Sequence, residues 1–220
     1  MESLASALGQ SFEVQDYGTS HIALASGVAN MNVRCSSAGT VVISQQAMDA
    51  PVLLRELTPV VWDAVAETLG VRGRVQRVGV RYWFVFPFAT PAEAWAELSR
   101  GALAAPTETW RMLFGDPVQA NFIGVTTSGD ETTRVAFAVV ENRIQATLPE
   151  WFSRAAAERY APPVSLLLDL DYGRQSQAEF SLGRHALEGR MTETWVHART
   201  CAIKVAGVLA QRKVFGDAAT

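Results

Sequence analysis

Residues 75–87, VQRVGVRYWFVFP, decide how this chain is read. Val78, Val80, Tyr82, Phe84 and Phe86 fall on one side of an extended strand; Arg77, Gly79, Arg81 and Trp83 fall on the other. Period-two alternation carried by β-branched and aromatic residues is the pattern of a strand with one buried face. Pro87 lacks a backbone donor and ends the strand. Thr90-Pro91-Ala92-Glu93 follows as a capping box with proline in the first helical position, and Ala94, Trp95 and Leu98 give the new helix an inner stripe up to Gly101.

Working back from this strand, Leu53, Leu57, Val60, Val61, Ala64, Val65 and Leu69 recur at helical spacing, and Gly70 supplies a stop. Pro59 lies inside that run, so the helix kinks there or restarts with Thr58 as its N-cap. Residues 11–16, 21–34 and 40–45 read as strands, separated by Asp16-Tyr17-Gly18 and Ser36-Ser37-Ala38-Gly39.

Working forward, a short helical piece is expected around 107–114 and strands at 118–127, 131–140 and 143–148, with Ser128-Gly129-Asp130 and Glu141-Asn142-Arg143 as turns. A helix at about 149–160, the break Pro162-Pro163 and the strand VSLLLDLDY at 164–172 come next. A long helix then closes the chain, its stripe traced by Leu187, Met191, Thr194 or Trp195, Ala198, Ala202, Val205 and Leu209. The expected class is α+β, a mainly antiparallel sheet with helices on one face. Each half reads β-β-β-α-β-α, which suggests an internal duplication over 1–105 and 106–220 within one compact unit, residues 101–107 being the best boundary.

Composition narrows the function classes. The chain has 220 residues, 49% hydrophobic and 19% charged, ordinary for a globular protein able to bury a core without staples. Nineteen basic against 22 acidic residues leave a net charge of −3, which points neither to nucleic acid nor to an acidic mimic. Only Lys204 and Lys213 are lysines; the arginine bias suits interfaces and also follows from a GC-rich bacterial genome. Two cysteines, Cys35 and Cys201, lack zinc or disulfide spacing. The N-terminus has no basic region before an apolar run, and no stretch approaches a membrane span, so a cytoplasmic protein is expected.

Four places carry candidate chemistry. Asp169 and Asp171, at i and i+2 on a strand, project from one face and offer two oxygen donors for Mg²⁺ or Mn²⁺, or an acid/base pair for a metal-dependent hydrolase or nucleotide-processing enzyme. Against this, Leu166, Leu168 and Leu170 define the buried face, which leaves the aspartates on the solvent face of an amphipathic strand. Arg72, Arg74, Arg77 and Arg81, with Tyr82 and Trp83 beside them, have the composition of a single-stranded nucleic-acid surface; net acidity and the use of charge to guard strand edges weigh against it. His185 and His197 lie about 120° apart around one helix and do not converge unaided. Trp83, on the polar face beside Arg77 and Arg81, has the composition of a protein-binding hot spot, unless a helix covers that face too. No nucleophile elbow, HExxH, P-loop or dinucleotide fingerprint occurs. No cofactor is therefore expected, and an enzyme is the lesser expectation.

Arg77-Val78-Gly79-Val80-Arg81-Tyr82 resembles the R-x-G-[VL]-R-Y signature of a sporadically distributed, uncharacterised family of bacterial and archaeal proteins. Leu166-Leu167-Leu168-Asp169-Leu170-Asp171 is similar to that family's late L-D-x-D strand before a long C-terminal helix. The resemblance implies no activity, and the family's patchy distribution, by analogy with horizontal transfer, implies a mobile-element or defence setting. The leading expectation is a non-catalytic protein-binding or assembly component, meeting a partner protein or its own copy through Arg77, Arg81 and Trp83 or through the terminal helix.

Overall fold

The computed structural model describes residues 12–17, 21–26, 31–36, 39–45, 52–70, 74–100, 122–141 and 162–216. Their elements are β1 (Glu13–Tyr17), β2 (His21–Ser26), β3 (Met31–Ser36), β4 (Val41–Gln45), α1 (Val52–Leu69), β5 (Arg74–Pro87), α2 (Pro91–Arg100), β6 (Phe122–Ser128), β7 (Glu131–Glu141), β8 (Val164–Ser181) and α3 (Arg184–Gly216). The class is α+β with antiparallel strands, gathered into two four-stranded sheets, β1-β2-β3-β4 and β5-β8-β7-β6. The chain divides into two compact units, residues 1–76 with 176–193 and residues 77–175 with 194–220.

In the first unit β1 to β4 form a meander. The expected single strand over 21–34 is two, β2 and β3, paired from His21↔Ser36 to Ser26↔Met31. Gly27 and Asn30 interrupt the alternation between them, and both are turn formers that a purely apolar reading passes over. Met31, Val33 and Cys35 point inward while Asn32 and Arg34 point out. Val61 and Val65 of α1, four residues apart and so on one helical face, join Leu24, Val33 and Cys35 in a buried cluster with Phe12, Val41, Ile43 and Ala64 around it. Helix α1 runs unbroken through Pro59, so Thr58 is an interior residue and not a cap. It ends at Gly70, whose φ of +64° is the left-handed conformation that glycine adopts without a Cβ penalty.

In the second unit β6 and β7 form a tight hairpin about Gly129-Asp130, with Ser128 opposite Glu131. Strand β7 then pairs along its length with β8, from Glu131↔Arg174 to Glu141↔Val164. Strand β8 is twice as long as the 164–172 expected, continuing to Ser181; its second part is polar and exposed, so hydrophobic periodicity carries no trace of it. Strand β5 lies on the other side of β8, the Phe88 N–H reaching the Val164 carbonyl just past its end. The capping box of α2 is present: Thr90 Oγ1 accepts the Glu93 N–H at 3.2 Å and Glu93 Oε2 accepts the Ala89 N–H at 3.2 Å.

One face of this second sheet is a core. Leu166, Leu168 and Leu170 are at most 1% exposed, and Val80, Tyr82, Phe137, Val139 and Tyr172 are buried with them. Each Leu buried to this extent contributes about 2 kcal/mol. The α3 residues Thr194, Ala198, Ala202 and Val205 form a buried stripe at helical spacing. Trp195 stacks on Phe84 with centroids 6.0 Å apart and lies 5.5 Å from the Tyr82 ring. Polar atoms on this face are paired: Tyr82 Oη with Thr194 Oγ1 at 3.1 Å, and Tyr172 Oη with His197 Nδ1 at 2.7 Å. Burial pushes the Tyr172 phenol well above its ordinary range.

The internal duplication is not confirmed. Four strands, not three, precede α1, and the expected strand at 143–148 and helix at 149–160 fall, like the helical piece at 107–114, outside the described residues.

Candidate functional site

The other face of the second sheet is built by the alternate residues of the same strands. Strand pairing places Val125 opposite Arg134 and Arg134 opposite Asp171 in one row, with Ile123, Ala136 and Asp169 in the next. Arg77, Gly79, Arg81 and Trp83 alternate along β5 on this side, since Val80 and Tyr82 are committed to the core. Across β5-β8-β7-β6, at about 4.8 Å per strand, the face is roughly 14 Å wide between its outer strands.

Asp169 is its centre. The sequence places Asp169 on a solvent face; it is 5% exposed instead. The reason is that three donors from two neighbouring strands close over its carboxylate. Arg81 binds it bidentately, Nε to Oδ1 at 2.7 Å and Nη2 to Oδ2 at 2.5 Å. Trp83 Nε1 donates to Oδ1 at 3.0 Å, and Arg134 Nη1 to Oδ2 at 3.0 Å. Planar fork-to-carboxylate pairing is the strongest geometry an arginine offers. Burial alone pushes the Asp169 carboxyl up, but hydrogen bonds from Arg81 and Arg134 together with their charges outweigh it, holding the group below the ordinary carboxylate range. The hydrogen bond to Asp169 likewise raises Arg81 above its ordinary value.

Trp83 stands above this knot. It is 61% exposed, and no helix among the described residues covers it. Its indole N–H is anchored on Asp169, and the Arg81 guanidinium lies 5.0 Å from its ring centroid, within cation–π range. Among the described residues, Ile123 and Val125 on β6 are the other large apolar side chains left open on this face, at 52% and 58% exposure.

The remaining candidates are placed as follows. Arg77 is exposed, on the same face as Arg81. A Cβ at Gly79 would lie 3.7 Å from Arg77 Nη2 and 3.6 Å from Asp171 Oδ1, so the Arg77 and Asp171 side chains flank this glycine. Arg74 pairs with Glu179 at 3.4 Å. Arg72 lies outside the described residues. Asp169 and Asp171 share a face, as their spacing requires; Asp169 is engaged by three donor side chains, and a cation approaching it meets two guanidinium groups. Among the described residues no group of three or more His, Cys, Asp or Glu side chains is placed to hold a metal ion. No helix of the described residues is long and apolar enough to cross a membrane.

Sequence reasoning missed Arg134, Ile123 and Val125. The signal for Arg134 was a lone charge among small residues, Arg134, Ala136 and Ala138, on one side of an otherwise apolar strand. Set beside known proteins, the chain matches no family model, no curated protein and no solved structure.

Proposed function

We propose that this chain is a non-catalytic protein-binding or assembly component whose docking surface is the open face of the second sheet, centred on Trp83. The observation that carries the reading is an exposed tryptophan fixed in place by a buried carboxylate and capped by a bidentate arginine. Tryptophan and arginine are the residues most enriched where binding energy concentrates. A side chain already held in one rotamer avoids most of the roughly 0.5–1.5 kcal/mol that ordering it on binding would cost. Ile123 and Val125 extend apolar area to the far edge of the same face.

The arrangement does not favour the enzyme reading centred on Asp169 and Asp171, because the better-placed carboxylate has no free oxygen for a substrate proton or a cation. Nor does it favour a nucleic-acid surface, since Ile123 and Val125 leave apolar area open on the face and the chain carries a net charge of −3. A mobile-element or defence setting, and membership of the R-x-G-[VL]-R-Y family, belong to the same proposal. Its test is sedimentation velocity and affinity recovery from source cells with wild type, Trp83→Ala and Arg81→Ala. Loss of self-association or of one reproducible partner in both variants supports the reading. Unchanged assembly and recovery contradict it.

A further inference from the structure

The docking reading leaves the partner's chemistry open, and the donors on the face narrow it. Arg81 has five N–H donors and gives two to Asp169; Arg134 gives one. Their side chains remain 49% and 34% exposed, so the unused donors reach solvent. Arg77 has no ion pair among the described residues, whereas its neighbours on this face, Arg81 and Arg134, share Asp169. Among the described residues Arg77, Arg81 and Arg134 on this face are set against Asp169, which is fully engaged, and Asp171, while Glu179 farther along β8 is taken by Arg74. The face is therefore short of acceptors and of negative charge.

Its layout selects the shape of what supplies them. Arg77, Gly79, Arg81 and Trp83 run along β5, an end strand of the sheet with no partner on its outer side among the described residues. The six residue steps of extended strand from Arg77 to Trp83 span roughly 20 Å. That is the length and the two-residue side-chain repeat of an extended peptide, with charge received at one end and an aromatic platform at the other.

We infer that the face takes an extended acidic segment of a partner protein, its carboxylates received by Arg77 and the unused donors of Arg81 and its apolar side chains by Trp83. This rests on the docking reading and adds the partner's chemistry to it. A phosphate backbone would use the same donors, but exposed Ile123 and Val125 offer it nothing, and a net charge of −3 repels it.

The test is selection of displayed random linear dodecapeptides on the full chain, followed by binding of the enriched peptides to variants. The expected result is enrichment of Asp and Glu beside an apolar residue, with binding weakened about tenfold or more by Arg77→Glu. Replacing the peptide's acidic residues with lysine should restore binding to Arg77→Glu. Both Arg77 and Trp83 are exposed, so these variants keep the fold. No enrichment, enrichment without acidic bias, or indifference to Arg77→Glu overturns the inference. So does tighter binding of a fluorescent oligothymidylate that Arg77→Glu abolishes. If any of these occurs while Trp83→Ala still abolishes assembly or partner recovery, the acidic-segment inference falls and the docking reading stands; if Trp83→Ala changes nothing, both fall.

Discussion

Asp169 Oδ1 accepts the indole N–H of Trp83 at 3.0 Å, so the exposed tryptophan of the second sheet is oriented by a buried carboxylate. The same carboxylate holds Arg81 and Arg134, which ties β5, β8 and β7 together across the sheet.

Removing that carboxylate strands two guanidinium groups and an indole N–H together. Both arginines reach solvent, so the penalty falls short of a fully buried pair. Asp169→Ala should cost about 2 kcal/mol, read as a lower urea midpoint at unchanged slope. A loss under about 0.5 kcal/mol would place the network among ornamental surface pairs.

Acid should act through the same group. Because the folded state holds the Asp169 carboxyl below its ordinary range, protonation favours unfolding. Its contribution is full above about pH 4 and is lost as pH falls through the folded value. Urea midpoints measured from neutral pH downward should drop more steeply in wild type than in Asp169→Asn below about pH 4. Parallel acid limbs would contradict this.

The two faces of the sheet should differ sharply in tolerance. Leu168, 1% exposed on the core face of the second sheet, should cost about 2–5 kcal/mol on replacement by Ala. Ile123, half exposed on the open face, should stay within about 0.5 kcal/mol of wild type on the same change. Thermal melts of the two variants check the contrast, and equal losses would mean that the open face is packed.

Cysteine reactivity reports the first unit separately. Cys35 sits in the cluster with Leu24 and Val65, and burial pushes its thiol up, away from the reactive thiolate. Cys201 is only half buried. Ellman's reagent should label Cys201 first in the folded protein and reach Cys35 only on unfolding. Equal rates would contradict the packing of β3 against α1.

Much of this was legible in the sequence because period-two and helical spacing are local. The faces of β5, the capping box of α2, the buried stripe of α3 and the stop at Gly70 all follow from neighbours a few residues apart. The site was legible only as composition. Arg81 and Asp169 lie 88 residues apart, and what joins them is the register of β5 on β8, which no local pattern encodes. Without that register Asp169 reads as a solvent-facing acid and Trp83 as either core or interface. The strand 21–34 was over-extended because Val28 and Ala29 continue the apolar run through the connection between β2 and β3.

The most direct measurement keeps Trp83 and places a photo-crosslinking amino acid at the exposed Val125 of the same face in the source cells, with Glu193, exposed on α3, as the control position. The expected result is a discrete protein adduct from position 125, either a partner or a second copy of the chain, that weakens when Trp83→Ala or Asp169→Ala is added. No adduct above that from position 193, or one indifferent to Trp83→Ala, would contradict the docking face.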